Sequence, residues 1–567
     1  MKSLELKDGI LQKYSGFSPW FLVALVVLLF LPFLGQAFHI DDVGFINPSH
    51  VFSWNPFQVH LDMTGTVEEN RQLGAVLYEN THTPLMSFFI KVVTVLFGER
   101  ESSLHGSFLI FPILALFSMG RLGALLFPGT GAVKTAMLSL FISMPAFLVN
   151  SHTIMSDVPT LALLLTAISC YIYALEREFL LTIWGGCLFL TLAIFASYQM
   201  LVFIPLLLYY AVLKKRISIS VVISLIVPAV VLLVWLLVIY HLYGVFPVFR
   251  SSIASGKYTI ASEITRGLQT NVLPGKIVNM VAQIGGSLLF VLLFYAVKTR
   301  SLRNVVAKFA VLASICFMTA FTLVRYSAYD AFTLALFVAL GLLTLVEVVS
   351  VAFHLRKKTG REEGLFLLTW IGIVLLYNIL VLPFGSARYI LPALPPMVLL
   401  LMYASDDHHV ERGRSLSFAV IVCFAAAFGL ACSFADYQYA QTYKDFTREV
   451  KVFQQNSDKT FQVWYVGKWG MKYYMEKEGF LPLPEDSKGV RKGDFVIIPE
   501  MPRFWQPGPD LIPRLHLYAT KEYRSWLPLR LFNRRSNAGF YAHHWGLLPF
   551  AISREPDEVF QIVEVAS

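Results

Sequence analysis

Long apolar runs separated by short polar connections fill the first three quarters of the chain. The first runs uncharged from Phe17 to Phe38, and others follow at about 104–127, 132–150, 157–175, 179–196, 199–213, 217–240, 274–297, 305–324, 329–352, 364–383, 389–404 and 415–433. Each is close to the ~20 residues that an α-helix needs to cross a bilayer, so the pattern predicts about thirteen membrane-spanning helices. The stretch 179–213 is long enough for one kinked helix, but Ser197-Tyr198-Gln199 in its middle suggests a tight polar turn between two spans. The first run is too long for a signal-peptide core and lacks a small-residue cleavage site, so it reads as a retained first helix.

The connections sort by charge. Lys214-Lys215-Arg216, Lys298 to Arg303, Arg356-Lys357-Lys358 with Arg361, and Arg412 with Arg414 fall on one side of the alternation, as do Lys2, Lys7 and Lys13. By the positive-inside bias that side is cytoplasmic, and an odd number of spans puts everything from Phe434 onward outside. The expected parts are therefore a membrane module over 1–433, with outer loops at 39–103 and 241–273, and a soluble outer part over 434–567. Pro84 to Phe97 is apolar but bounded by charges, as in a helix lying in the interface plane. In the tail, charged residues rise to about a quarter, against about a ninth before it. Phe461-Gln462-Val463-Trp464-Tyr465-Val466 and Asp494-Phe495-Val496-Ile497-Ile498 have the continuous apolar character of buried strands, and Lys468 to Glu478 between them is helical in pattern. The fold class is thus mostly α: a polytopic membrane bundle carrying a C-terminal α/β domain.

Composition narrows the classes. Over 567 residues the chain is 56% hydrophobic and only 15% charged, whereas soluble proteins carry roughly a quarter of their residues as charges. The formal net charge of +9 belongs to the cytoplasmic loops, and no basic tract interleaved with aromatics points to nucleic acid. The five cysteines, at 170, 187, 316, 423 and 432, lie in or at the ends of apolar spans and form no CxxC pair. Neither a disulfide scaffold nor a thiolate metal site is indicated. No Walker loop, GxGxxG, GxSxG or HExxH is present, so no nucleotide cofactor is expected and the substrates are lipid or lipid-linked.

Charged and polar groups at the outer ends of spans are where function belongs. The carboxylates there are Asp41 and Asp42, directly after the first span, with Glu79, and with Asp157 in His152-Thr153-Ile154-Met155-Ser156-Asp157-Val158-Pro159. Asp157 also suits a helix start, with Pro159 in the first turn. The outer cations are Arg250, Lys257, Arg266, Arg325 and Arg388, which run against the positive-inside bias. A phosphate anion supplies a reason for them, since guanidinium pairs with phosphate in a bidentate way; headgroup snorkelling is the other reading for Lys257 and Arg266. Arg388 sits in the very short turn Phe384-Gly385-Ser386-Ala387-Arg388-Tyr389. His39, His82 and His152 lie near the same face without the spacing of a compact zinc motif.

These residues resemble the C-type integral-membrane glycosyltransferases, in the branch of the protein O-mannosyltransferases and bacterial aminoarabinose transferases. The resemblance covers Phe17 to about Ala404. It rests on Asp41-Asp42 after the first helix, His82-Thr83-Pro84-Leu85 before Phe88-Phe89, Ser156-Asp157-Val158-Pro159, and Arg388-Tyr389-Ile390-Leu391-Pro392-Ala393-Leu394-Pro395-Pro396. The family's acidic pair is usually Asp-Glu, and its Lys-Pro-Pro or His-Pro-Pro element stands here as His82-Thr83-Pro84. In the tail, Gly467-Lys468-Trp469-Gly470 with Tyr473-Tyr474, and Gly539-Phe540-Tyr541 with Trp545-Gly546, look like those of bacterial members.

The resemblance implies an inverting transfer of a sugar from a polyprenyl-phosphate donor to a lipid, glycan or protein acceptor. The setting it implies is the outer face of a bacterial inner membrane, with the N-terminus cytoplasmic and the tail periplasmic. Such chemistry serves protein glycosylation or lipid A modification in the cell envelope. Asp41 then takes the acceptor proton, with Asp42 and Asp157 as further catalytic candidates. Arg388, Tyr389, Arg250, Lys257, Arg325, His82 and Glu79 are the substrate-binding candidates. A divalent metal ion is an option, with Glu79 and His82 as its candidate ligands, and the membrane lipids are the remaining partner. A transporter or flippase is the competing class, as is a polymerase or ligase of lipid-linked glycans. Transporters show internal repeats and paired broken helices at the midplane, whereas the polar groups here cluster at the outer ends.

Overall fold

The computed structural model describes residues 19–55, 57–58, 84–127, 131–177, 179–245, 268–323, 328–355, 361–403, 415–457, 460–484, 486–502 and 507–566. Among them, eight helices are long and apolar enough to cross a membrane: Glu101–Leu126, Asp157–Arg177, Ile219–Tyr243, Leu273–Lys298, Leu302–Ala320, Ala328–Leu355, Glu362–Leu380 and Leu416–Gln455. The other five expected spans appear as shorter apolar helices, Val23–Phe33, Val133–Ser143, Leu181–Ala196, Tyr198–Leu213 and Ala387–Met402. Leu85–Phe97, expected in the interface plane, is a 13-residue helix. It buries Met86, Ile90 and Val93 at helical spacing and exposes Val95, Leu96 and Phe97.

Ion pairs show which helix ends share a side. Lys214 lies 3.1 Å from Glu176, 3.2 Å from Glu362 and 2.5 Å from Glu363, which gathers the end of Asp157–Arg177, the end of Phe203–Leu213 and the start of Arg361–Leu380. The stretch 179–213 therefore turns back at Ser197 rather than continuing as one kinked helix. At the opposite end, buried Lys276 donates to the carbonyls of Ile379 and Leu382, each at 2.8 Å. Between Leu273–Lys298 and Ala328–Leu355 the backbones meet: a Cβ on Gly285 would lie 2.1 Å from the Phe337 carbonyl, and one on Gly341 would lie 2.0 Å from that of Val281. Small residues permit that approach where lipid gives helices no hydrophobic drive to associate.

The helix Ser415–Gln455 is 41 residues long, about 60 Å at 1.5 Å per residue. It runs without a break through position 434, so the shift in composition there falls inside a rigid rod. Beyond it come strand Val463–Tyr465, helix Trp469–Lys477 and strand Phe495–Pro499, the order that the apolar runs predict, and the two strands pair in parallel. The sheet is completed by Leu481–Pro482 on one edge and, beyond Phe495–Pro499, by antiparallel Glu558–Val565 and Leu515–Tyr523. Phe446 of the rod stacks on Phe560 of the sheet with centroids 3.8 Å apart, and this contact sets the tail against the bundle.

Glu558, at the start of its strand, is buried. Its carboxylate accepts from the backbone N–H groups of Glu500 (2.9 Å) and Met501 (3.1 Å) and from the Tyr443 hydroxyl (2.9 Å). Burial outweighs these bonds and pushes the carboxyl from the ordinary 4.5 up to about 7. Between those values the folded protein keeps a proton that the unfolded chain has released, so stability falls as pH rises through that window. The melting temperature in detergent is expected to decline from pH 5 to pH 7, and Glu558→Gln to flatten that limb. A profile that rises over the window would contradict the assignment.

Candidate active site at one end of the bundle

The segment after the first span leaves the apolar core in a sharp turn. His39 is extended (φ −149°, ψ 173°), a short turn covers Ile40–Asp42, and the helix Val43–Val51 follows. Ile40 carries φ +47°, a left-handed conformation that a β-branched residue adopts only when its surroundings impose it, at about 1–3 kcal/mol. That turn sends Asp41 and Asp42 in different directions. Asp42 goes inward and is fully buried, its Oδ1 accepting from the Ile154 N–H and its Oδ2 from the His39 N–H, both at 3.0 Å. Asp41 stays about a third exposed and meets Arg388 Nη2 at 2.7 Å.

Arg388 reaches the same place from the other side of the bundle. Ser386 starts the short helix Ala387–Ile390 by accepting from the Arg388 N–H. The tail fixes the turn: Ala387 donates to the Phe540 carbonyl (2.8 Å), and His543 donates to the Gly385 carbonyl (2.9 Å). The guanidinium is buried, with Nη1 4.0 Å from Asp157 Oδ2 and 3.1 Å from the Met155 thioether. Its Nε is buried with no hydrogen-bond partner among the described residues. One cation thus lies between two carboxylates contributed by two other segments, with donor capacity beyond them.

Tyr389 lies beside it, its ring centroid 5.7 Å from the Arg388 guanidinium carbon. With Gln199, Met200, Phe203, Tyr377, Asn378 and Pro392 it lines a narrow crevice of about 10 Å³, room for no more than a water molecule. Asn378 secures its backbone by donating to the Tyr389 carbonyl at 2.8 Å.

The structure therefore brings together Asp41, Asp157 and Arg388, keeps Tyr389 adjacent, and turns Asp42 away into the protein. Glu79, His82, Arg250, Lys257, Arg266 and Arg325 lie outside the described residues. Among the described residues, no group of three or more His, Cys, Asp or Glu side chains is placed to hold a metal ion. Asp41 and Asp157 converge on a guanidinium there rather than on further ligands.

Asp436 and Gln36, which the sequence pattern does not single out, join His39 and Tyr541 to complete the surroundings. Asp436 accepts from Gln36 at 3.1 Å and from the Tyr541 hydroxyl at 3.0 Å, and its Oδ2 lies 2.9 Å from His39 Nε2. Burial alone would hold the His39 imidazole neutral, but the Asp436 charge and the bonds to Asp42 and Asp436 lift it from 6.5 to about 10. A raised histidine stabilises fully below its unfolded value, and that contribution is lost as pH climbs toward the folded one. An aspartate two residues past the composition shift at 434 reads as a solvated tail charge; the one signal for it is its register on the apolar face of a helix that continues.

Because both oxygens of Asp42 accept backbone N–H groups, Asp42→Asn puts an amide donor against a donor. It is expected to destabilise the protein by about 1–3 kcal/mol, read as a lower melting temperature. Normal stability with abolished turnover would instead mark Asp42 as a reacting group.

No protein-family model matches the chain, and no curated protein matches it by sequence. Among solved structures it is similar to the Archaeoglobus fulgidus oligosaccharyltransferase in complex with Zn and sulfate, with a TM-score of 0.44 and 12% identity over 84% of this chain and 67% of that one. It is also similar to ArnT from Cupriavidus metallidurans in the apo state, with a TM-score of 0.37 and 12% identity over 88% of this chain and 95% of that one. For ArnT bound to undecaprenyl phosphate the TM-score is 0.35 at the same identity and coverage.

Proposed function

We propose that the chain is an inverting glycosyltransferase that moves a sugar from a polyprenyl-phosphate donor to an acceptor at the outer face of the membrane. The observation that carries this reading is a buried Arg388 held 2.7 Å from Asp41, with an unpartnered Nε and with Asp157 at 4.0 Å. In the reaction, the acceptor hydroxyl or amine attacks the anomeric carbon as the bond from that carbon to the phosphate oxygen breaks. The bond's electron pair leaves with the polyprenyl phosphate, and the acceptor proton passes to Asp41. Attack opposite the leaving group inverts the anomeric centre.

Arg388 holds the leaving phosphate. Its Nε and thioether-paired Nη1 are the donors that phosphate oxygens would take, and a charge-assisted bond there replaces a weak sulfur contact. Asp157 shares the guanidinium and orients it. The chain's own carboxylates and guanidinium carry this chemistry. Should Glu79 and His82 hold a divalent ion, it would add positive charge at the phosphate. In the same reading, 1–433 is the membrane module and 434–567 the outer domain, with the basic loops and N-terminus on the cytoplasmic side of a bacterial inner membrane.

The test is transfer from a labelled polyprenyl-phosphate sugar in proteoliposomes. A transferase releases free polyprenyl phosphate as acceptor is glycosylated; a flippase moves the intact donor across the bilayer and releases none. Protein that translocates donor without cleaving it would end this reading.

A further inference from the structure

Behind Asp41 lies a buried polar knot that the proposed chemistry does not use. His39 faces Asp42 Oδ2 through Nδ1 at 3.4 Å and Asp436 Oδ2 through Nε2 at 2.9 Å. The Tyr541 hydroxyl donates to Asp436 Oδ1 at 3.0 Å, and Gln36 donates to Asp436 Oδ2 at 3.1 Å. His39, Asp42, Asp436 and Tyr541 are all buried, and they come from three distant parts of the chain: the turn after the first span, the long rod and the C-terminal loop.

The knot lies directly against the strained residue. Ile40, with φ +47°, stands between His39, which the knot grips, and Asp41, which meets Arg388. The tail presses on the same backbone: the Tyr474 hydroxyl accepts from the Phe38 N–H at 2.9 Å, and a Cβ on Gly470 would lie 2.1 Å from the Phe38 carbonyl. A left-handed isoleucine persists only where its neighbours over-determine it. Here those neighbours are mostly rod and tail residues.

We propose that Asp436 and Tyr541 are positioning residues for Asp41: through His39 they hold the 38–42 turn so that the Asp41 carboxylate stands at Arg388. The inference rests on Asp41 being the proton acceptor. It gives the tail's Gly-Phe-Tyr motif a role in the membrane site, since Phe540 fixes the Arg388 turn and Tyr541 the Asp41 turn.

Tyr541→Phe in the full-length protein removes one oxygen from the knot. Peptides covering 36–45 are expected to exchange amide hydrogen faster than in the wild type. Transfer kcat is expected to fall about tenfold with donor KM within about twofold. On an Asp41→Asn background the same substitution is expected to leave the residual rate within about twofold, because it acts through the group already lost. Gln36→Met, which removes only the Gln36 bond to Asp436, carries the same test if the first variant fails to fold. Unchanged exchange, unchanged kcat, or an equal loss on the Asp41→Asn background overturns the proposal. A wild type that transfers no sugar refutes the catalytic reading alone, and the exchange comparison still decides whether the knot holds the turn.

Discussion

Replacing Asp41 with Asn is expected to lower transfer turnover by about 10²–10⁴-fold, the range for loss of a positioned general base, while donor KM stays the same or falls. The second half of that expectation separates Asp41 from a generic structural carboxylate. Asp41 meets Arg388 at 2.7 Å, so it competes with the donor phosphate for the same guanidinium. Neutralising it removes the proton acceptor and leaves the phosphate site with more net positive charge. A lower kcat with unchanged or lower KM marks an interaction used in the transition state rather than in donor binding. Asp157→Asn, at 4.0 Å from Arg388, is expected to cost less. Near-normal turnover in Asp41→Asn would show that the proton leaves by another route.

Arg388→Ala carries the opposite signature. It removes the phosphate partner and leaves Asp41 and Asp157 without their shared cation, so kcat/KM for the donor is expected to fall by about 10²-fold or more, with a raised KM. The loss corresponds to one or two charge-assisted hydrogen bonds at about 1.5–3 kcal/mol each. Arg388→Lys keeps the charge but loses the planar fork and the Nε donor, so it is expected to recover only part of the loss. Competition by free undecaprenyl phosphate reads the same site without chemistry. Equal inhibition of wild type and Arg388→Ala would remove Arg388 from the phosphate role.

Much of this arrangement is legible in the sequence. Span periodicity and loop charge put Asp41, Asp157 and Arg388 at one end of the bundle, because each falls at a span end on the same side of the alternation. The strand-helix-strand unit that opens the tail is readable too, since Phe461–Val466 and Asp494–Ile498 are continuous apolar runs with a helical pattern between them. Which groups meet across the bundle is not a matter of spacing. Asp41 and Asp42 are neighbours in sequence, and a single left-handed residue before them turns one to the site and buries the other. Asp436 was hidden because a rise in charge at 434 reads as a boundary, whereas helix propensity carries the rod through it. Leu515–Tyr523 and Glu558–Val565 pair with each other across more than thirty intervening residues, which no local pattern records; the first is also a largely exposed edge strand with little apolar alternation.

Asp42 shows how a motif can be chemical in one residue and architectural in the next. Its two oxygens cap the backbone at Ile154 and His39, tying the turn after the first span to the loop that leads into Asp157. The two carboxylates assigned to the site are therefore linked through the one that is not.

The most direct test of the central claim is single-turnover transfer from a labelled polyprenyl-phosphate sugar, wild type and Asp41→Asn side by side, with the anomeric configuration of the product read by NMR. The expected result is an inverted product with one free polyprenyl phosphate released per sugar transferred, and loss of that product with donor still bound in Asp41→Asn. A retained configuration, or equal product from the two proteins, would contradict it.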